Sequence, residues 1–209
     1  MARMNVNPTR MELKRLKARL KTAERGHKLL KDKSDEMVRR FSVLIRENKR
    51  LRDETDADTA AVLQEFSKAR SLISVEEIET AFSLPTKTVT VKTGTKNVMS
   101  VEVPEMEVGV ETSGGGYPYA FSTVTSEMDY TAKKAADLTL KLLKLAEVEK
   151  AAEMLAIEIE RNKRRVNALE YVMIPELNET IKYIRQKLDE NERSATTRLM
   201  KVKTFINND

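Results

Sequence analysis

Few residues in this chain could do chemistry. There is one histidine, His27, and no cysteine. A lone imidazole with no second histidine and no thiolate offers a poor start for a metal site. His27 also falls on an apolar helix seam, where a packed imidazole is the expected role. Gly114, Gly115 and Gly116 form a run. No Lys-Ser/Thr follows it, as a phosphate-binding loop requires, so it reads as a flexible loop. Asp53, Glu54, Asp56 and Asp58 are crowded, but they lie within a helical pattern and lack the spacing of a calcium loop. They read as a solvated helix face. The expectation is no catalytic residue, no cofactor-binding residue, no cofactor and no metal, and hence no enzyme.

The basic residues carry more information. Arg161, Lys163, Arg164 and Arg165 stand nearly consecutively, so they surround most of a helix. Glu158 and Glu160 cannot pair with all four. A solvated face, an acidic protein partner and a nucleic acid are the three readings. Against nucleic acid, the helices lack aromatic–basic interleaving and the net charge is only +5. The segment from Arg10 to Lys33 holds ten basic residues, among them Lys14, Arg25 and Lys28, against three acidic ones. From Arg193 to Ile206 there are four basic residues, including Lys201, and no acid.

The elements that carry these residues follow from composition and spacing. Charged residues make up 34% and aromatics 5%, which suits long helices with a narrow apolar stripe better than a compact globule. Five of the six glycines and three of the five prolines lie between Pro85 and Pro118. The flanks are almost free of breakers. After a capping signal at Thr9 and Glu12, apolar residues recur in alternating steps of three and four. They run Leu13, Leu16, Leu20, Ala23, (His27), Leu30, (Ser34), Met37, Phe41, Leu44, (Asn48), Leu51. The pattern continues more loosely to Ile73. A helix over 9–73 would be roughly 95 Å long.

The C-terminal flank repeats the pattern through Leu138, Leu142, Leu145, Val148, Ala152, Leu155, Ile159, (Asn162), Val166, Leu169 and Met173. It resumes at Leu177 and runs past (Asn191) to Ile206. Steps of four interrupt the alternation around Pro175, whose ring removes a helical hydrogen bond, so a local bend is expected there. Asn48, Asn162 and Asn191 occupy seam positions, where a polar residue sets register at a cost in stability. The fold class is therefore mainly α: a long antiparallel two-helix left-handed coiled coil with a small β-hairpin-containing insert. Pairing is expected to put residue 13 near 199 and 41 near 171, with Asn48 and Asn162 in neighbouring layers. A parallel homodimer is the competing arrangement, disfavoured by the matched helix lengths and the long joint.

Three regions result. Residues 1–73 form the first long helix and 126–209 the second. Residues 74–125 form an insert with a short helix, Val75 to Leu84, capped by Ser74 and Glu77 and stopped by Pro85. The insert continues with a β-hairpin at about 86–103, whose strands Thr86–Val91 and Val98–Val103 flank a glycine-containing loop, and then a mobile loop over 104–125. No apolar run approaches a membrane span, and no apolar signal segment opens the chain. Cytoplasmic residence is the expectation.

Four motifs are more specific: NPTR (7–10), RGHKLLKDK (25–33), RRVNALE (164–170) and the Ile-Pro at 174–175. Their order and separation closely resemble the D-subunit family of V-type (vacuolar/archaeal-type) rotary ATPases, in its bacterial form. The resemblance covers residues 6–41 and 142–203. It implies a central rotor shaft, non-catalytic in itself, that couples ATP hydrolysis or synthesis in a catalytic hexamer to ion translocation by a membrane ring. The implied partners are the catalytic and regulatory subunits A and B, the F subunit, and a socket subunit above the ring, with no nucleic acid and no direct insertion into the membrane. It also implies a cytoplasmic location, peripheral to the membrane. The alternative is a coiled-coil adaptor or nucleic-acid-binding arm.

Overall fold

The computed structural model describes residues 4–83, 87–112, 119 and 126–206. In chain order the elements are α1 (Arg10–Arg70), α2 (Val75–Ala81), β1 (Lys87–Val98), β2 (Val101–Thr112), α3 (Ser126–Asn167), a π-helical segment (Ala168–Met173) and α4 (Ile174–Ile206). They form two compact units. Unit 1 is Met1–Glu36 with Ile159–Asp209, and unit 2 is Met37–Glu158.

Helix α1 starts where the capping signal lies. The Glu12 amide donates to the Thr9 hydroxyl at 3.2 Å, satisfying one of the first-turn donors. The helix stops at Arg70, three residues before the expected end. The Ser71 and Leu72 amides turn back onto Lys68 and Ala69, and the Ser71 hydroxyl donates to the Lys68 carbonyl at 2.6 Å. That local bond competes with further helix.

In unit 1, Leu13, Leu16, Leu20 and Ala23 of α1 pack against Leu169, Met173, Leu177, Ile181, Ile184 and Leu188. Leu177 and Ile184 are fully buried. Each such side chain contributes about 1.5–3 kcal/mol relative to exposure. The two segments are antiparallel, as Arg10 pairs with Glu192 while His27 faces Glu170 at 3.3 Å.

This register corrects the sequence expectation by roughly three to four helical turns. Leu13 lies among residues reaching Leu188, and Leu199 is 70% exposed. Residue 170 meets 27 rather than a residue near 41. The cause is the heptad repeat itself, since seams of period seven fit one another in several alignments. The seam also ends earlier than its pattern. Arg10 opens α1 and already reaches Glu192, so α4 beyond that point has no α1 beside it. Asn191, Ala195, Leu199, Val202 and Ile206 are all exposed.

Just before Pro175, the helix widens into a π turn, and the Ile174 amide donates to the Leu169 carbonyl five residues back. From Asn162 to Ile184 the seam spends one residue more than three heptads, in steps of four at Leu169, Met173, Leu177 and Ile181. The π turn absorbs that residue, so Leu177 and Ile184 return to the packed face. Proline cannot donate to the preceding turn, which favours the loosened geometry at that place.

In unit 2, the α1 seam continues through Met37, Phe41, Leu44, Asn48 and Leu51, all buried or half-buried. Opposite stand Leu138, Leu145, Ala151, Ala152 and Leu155 of α3, all buried. Antiparallel alignment is fixed by Arg52 beside Glu149 at 3.1 Å and by Lys141 beside Glu54 and Asp58. The short helix α2 has the expected capping box, with Ser74 and Glu77 bonded reciprocally. It ends at Ala81, and Leu84 and Pro85 lie outside the described residues.

The β-ribbon differs from expectation in length and turn. Its strands are twelve residues each, and the reversal falls at Met99–Ser100, not in the glycine-containing stretch. Both turn residues have positive φ, 55° and 69°, the geometry of a type I′ hairpin turn. The Ser100 amide donates to Asn97 Oδ1 at 2.9 Å and holds the turn. Gly94 sits inside β1 opposite Glu105. Residues 104–112, expected as loop, complete β2. Val89, Val91, Met106, Val108 and Val110 share one face of the ribbon, while Lys92 stands opposite Glu107 on the other.

Candidate partner-contact surface

The basic residues singled out in the sequence all fall in unit 1. Arg10, Lys14, Arg25 and Lys28 lie on α1; Arg161, Lys163, Arg164 and Arg165 are exposed on α3; Lys201 is exposed on α4. On α1, Arg10, Arg25 and Lys28 are exposed and Lys14 is exposed beside them. Unit 1 carries 22 Lys/Arg against 13 Asp/Glu, a net +9, and unit 2 carries 16 against 20, a net −4. The modest net charge of the whole chain thus hides an uneven division between the two units.

Part of this charge is already engaged within the chain. Arg10 is bonded to Glu192, and Arg164 to Glu160 one turn earlier. The Arg164 guanidinium holds the Glu160 carboxyl below the usual carboxylate range, chiefly through that hydrogen bond. Arg161 and Arg165 also have partners within the chain. All remain on the surface, where such pairs are weak and exchange readily for intermolecular ones.

The three seam asparagines part company. Asn162 is 1% exposed, Asn48 is half-buried, and Asn191 is exposed. Asn48 and Asn162 do not occupy neighbouring layers, since the α1 residues near Asn48 align with α3 residues near Glu149. His27 is a half-buried seam residue facing Glu170. Among the described residues no cluster of acidic, histidine or cysteine side chains could hold a metal ion. No described helix is long and apolar enough to cross a membrane.

The acidic cluster has a structural role that its crowding alone did not suggest. Lys141 Nζ donates to Asp58 Oδ2 at 2.6 Å and to Glu54 Oε1 at 2.8 Å. These bonds, Asp58 first, push the lysine well above its ordinary value. Lys141 takes the seam position that the apolar pattern assigned to Leu142, which is 44% exposed. The available signal was Glu54 and Asp58 four residues apart, a spacing that can clasp one cation from a facing helix.

Unit 2 also has an open apolar cleft of about 360 Å³. Val62 and Phe66 of α1, Phe82 just past α2, and Met128 at the start of α3 line it. Phe82 meets Tyr119 edge-to-face at 5.7 Å, and the Tyr119 hydroxyl donates to Asp129.

Antiparallel packing of two long helices, a β-ribbon insert and a basic face define a class: a helical-hairpin protein with an inserted ribbon. Comparison with known proteins narrows it. The family model for the ATP synthase D subunit matches residues 12–204. The chain is 53% identical over 209 residues to the V-type ATP synthase D subunit of Clostridium botulinum, covering 99% of this chain and 98% of that one. It is 50% identical to the D subunits of Thermoanaerobacter pseudethanolicus, over 206 residues and 99% of both chains, and of Fusobacterium nucleatum, over 210 residues and the whole of both. The chain belongs to the ATP synthase D-subunit family.

Proposed function

We propose that this chain is the central rotor shaft of a V-type ATPase or ATP synthase, coupling nucleotide turnover in the catalytic hexamer to ion translocation by the membrane ring. The observation that carries the reading is the match to the D-subunit family along nearly the whole chain. Physical features support it. Torque needs paired helices that resist twisting, and the packed seams and cross-helix ion pairs supply that resistance. A surface that passes successive partners is better served by screened charge than by a dry apolar lock, and unit 1 carries such charge. In this reading unit 1 enters the hexamer of subunits A and B, and Arg10, Lys14, Arg25, Lys28, Arg161, Lys163, Arg164, Arg165 and Lys201 meet its acidic groups. The F subunit clasps the paired helices. In the same reading the socket subunit seats on the apolar cleft of unit 2. The complex sits on the cytoplasmic side, peripheral to the membrane.

Reconstitution tests it. The purified chain should bind the F subunit stoichiometrically and restore or stimulate ATPase activity of the matching A–B hexamer, with rotation visible under ATP. Charge reversal at Arg164 and Arg165 together should weaken assembly or slow turnover while leaving the circular-dichroism melt near that of the parent. No binding to either partner, with tight salt-dependent RNA binding instead, would replace the shaft by a nucleic-acid-binding arm.

A further inference from the structure

Two apolar seams of heptad spacing can slide by seven residues and still bury leucine against leucine, so apolar packing alone leaves several registers close in energy. Something polar must choose among them. Between α1 and α3 of unit 2, three polar groups of α1 and one of α3 meet at one level. Thr55 is 1% exposed, and Asp58 follows it at half-burial. Lys141 lies three residues after Leu138 and four before Leu145, both buried, and so holds a seam position on α3. Its Nζ bonds Asp58 at 2.6 Å and Glu54 at 2.8 Å.

We propose that Lys141, clasped by Glu54 and Asp58, is the register key of the α1–α3 pair. It is a positioning residue that selects one alignment from a heptad-related set. A slide of one heptad would set Glu47 and Leu51, or Ala61 and Glu65, opposite Lys141. Either leaves it one carboxylate instead of two and moves Arg52 away from Glu149. The three side chains are 40–44% exposed, so the paired state adds little net stability. Its effect is discrimination: this alignment alone, among those one heptad apart, gives Lys141 two carboxylates. The same alignment determines where the insert leaves the pair, because α1 ends at Arg70 and α3 begins at Ser126.

The absence of cysteine makes the test clean. Gln64→Cys and Glu153→Cys, both at exposed positions, carry spin labels offset along the helix axes. A one-heptad slide displaces them by about 10 Å, which pulsed dipolar spectroscopy resolves. The parent chain should give a single distance. Lys141→Leu combined with Asp58→Leu keeps the seam apolar and the chain folded, and should add a second distance displaced by about 10 Å. Lys141→Glu with Glu54→Lys and Asp58→Lys should restore the single parental distance. A double-leucine variant that melts like the parent and keeps one unchanged distance would overturn the proposal. So would a charge-swapped variant with several distances.

Discussion

Asn162 and Asn191 show one residue type taking opposite fates within one seam. Asn162 is buried and Asn191 is exposed, although both stand at heptad positions. A buried amide at a seam position forfeits the apolar contribution an aliphatic side chain would make there, a loss set against the partner Asn162 keeps within the chain. Asn162→Leu should therefore raise the melting temperature by about 2–4 °C, the shift that accompanies ~1 kcal/mol in a chain of this size. Asn191→Leu should leave it almost unchanged. Parallel thermal melts followed by circular dichroism distinguish the two sites. A fall for Asn162→Leu would mean that its hydrogen bonding outweighs the gain in apolar packing.

Among the elements, the π turn makes the clearest physical claim. It exists because the seam carries one residue beyond a whole number of heptads, and Pro175 makes the preceding turn the easiest place to store it. Deleting Tyr171, which is 67% exposed within that turn, should convert the segment to α-helix and leave the downstream seam in phase. The melt should shift little. Deleting Lys144, exposed in regular α3, should rotate the following seam by about 100° and cost most of the cooperative transition. Equal damage from both deletions would refute the storage argument. The β-ribbon makes a quieter point. Its reversal uses Met99 and Ser100 at positive φ with no glycine, and the Asn97 side chain supplies the bond that holds them there.

At the scale of the whole molecule, charge is partitioned. Unit 1 is strongly basic, unit 2 is mildly acidic, and α4 after Glu192 bears an exposed apolar row among four basic residues. In that row Leu199 is 70%, Val202 53% and Ile206 69% exposed. Truncation after Glu192 should leave the melting temperature of the remaining protein within about 3 °C while weakening assembly with the A–B hexamer. Equilibrium sedimentation with the hexamer, beside a thermal melt, measures both. If unit 1 is the contact surface, the association rate should also fall as salt rises from about 50 to about 300 mM, because charge-steered encounters are screened within that range.

Local features were legible in the sequence because they are set by neighbours a few residues apart. The α1 seam from Leu13 to Leu51 is buried or half-buried at each apolar position from Met37 onward and at Leu13, Leu16, Leu20 and Ala23 before it. The capping groups at Thr9 and Ser74, the start of α3 at Ser126 and the breaker-rich insert follow from the same short-range chemistry. Register is a relation between segments more than a hundred residues apart, and a seven-residue period repeats its own answer at each slide. Only tertiary structure could show that Glu170 meets His27, that the shared seam stops at Leu188, and that Lys141 rather than Leu142 faces α1. The spacing of apolar residues determines which face of each helix is buried; specific polar contacts across the seam decide what it is buried against.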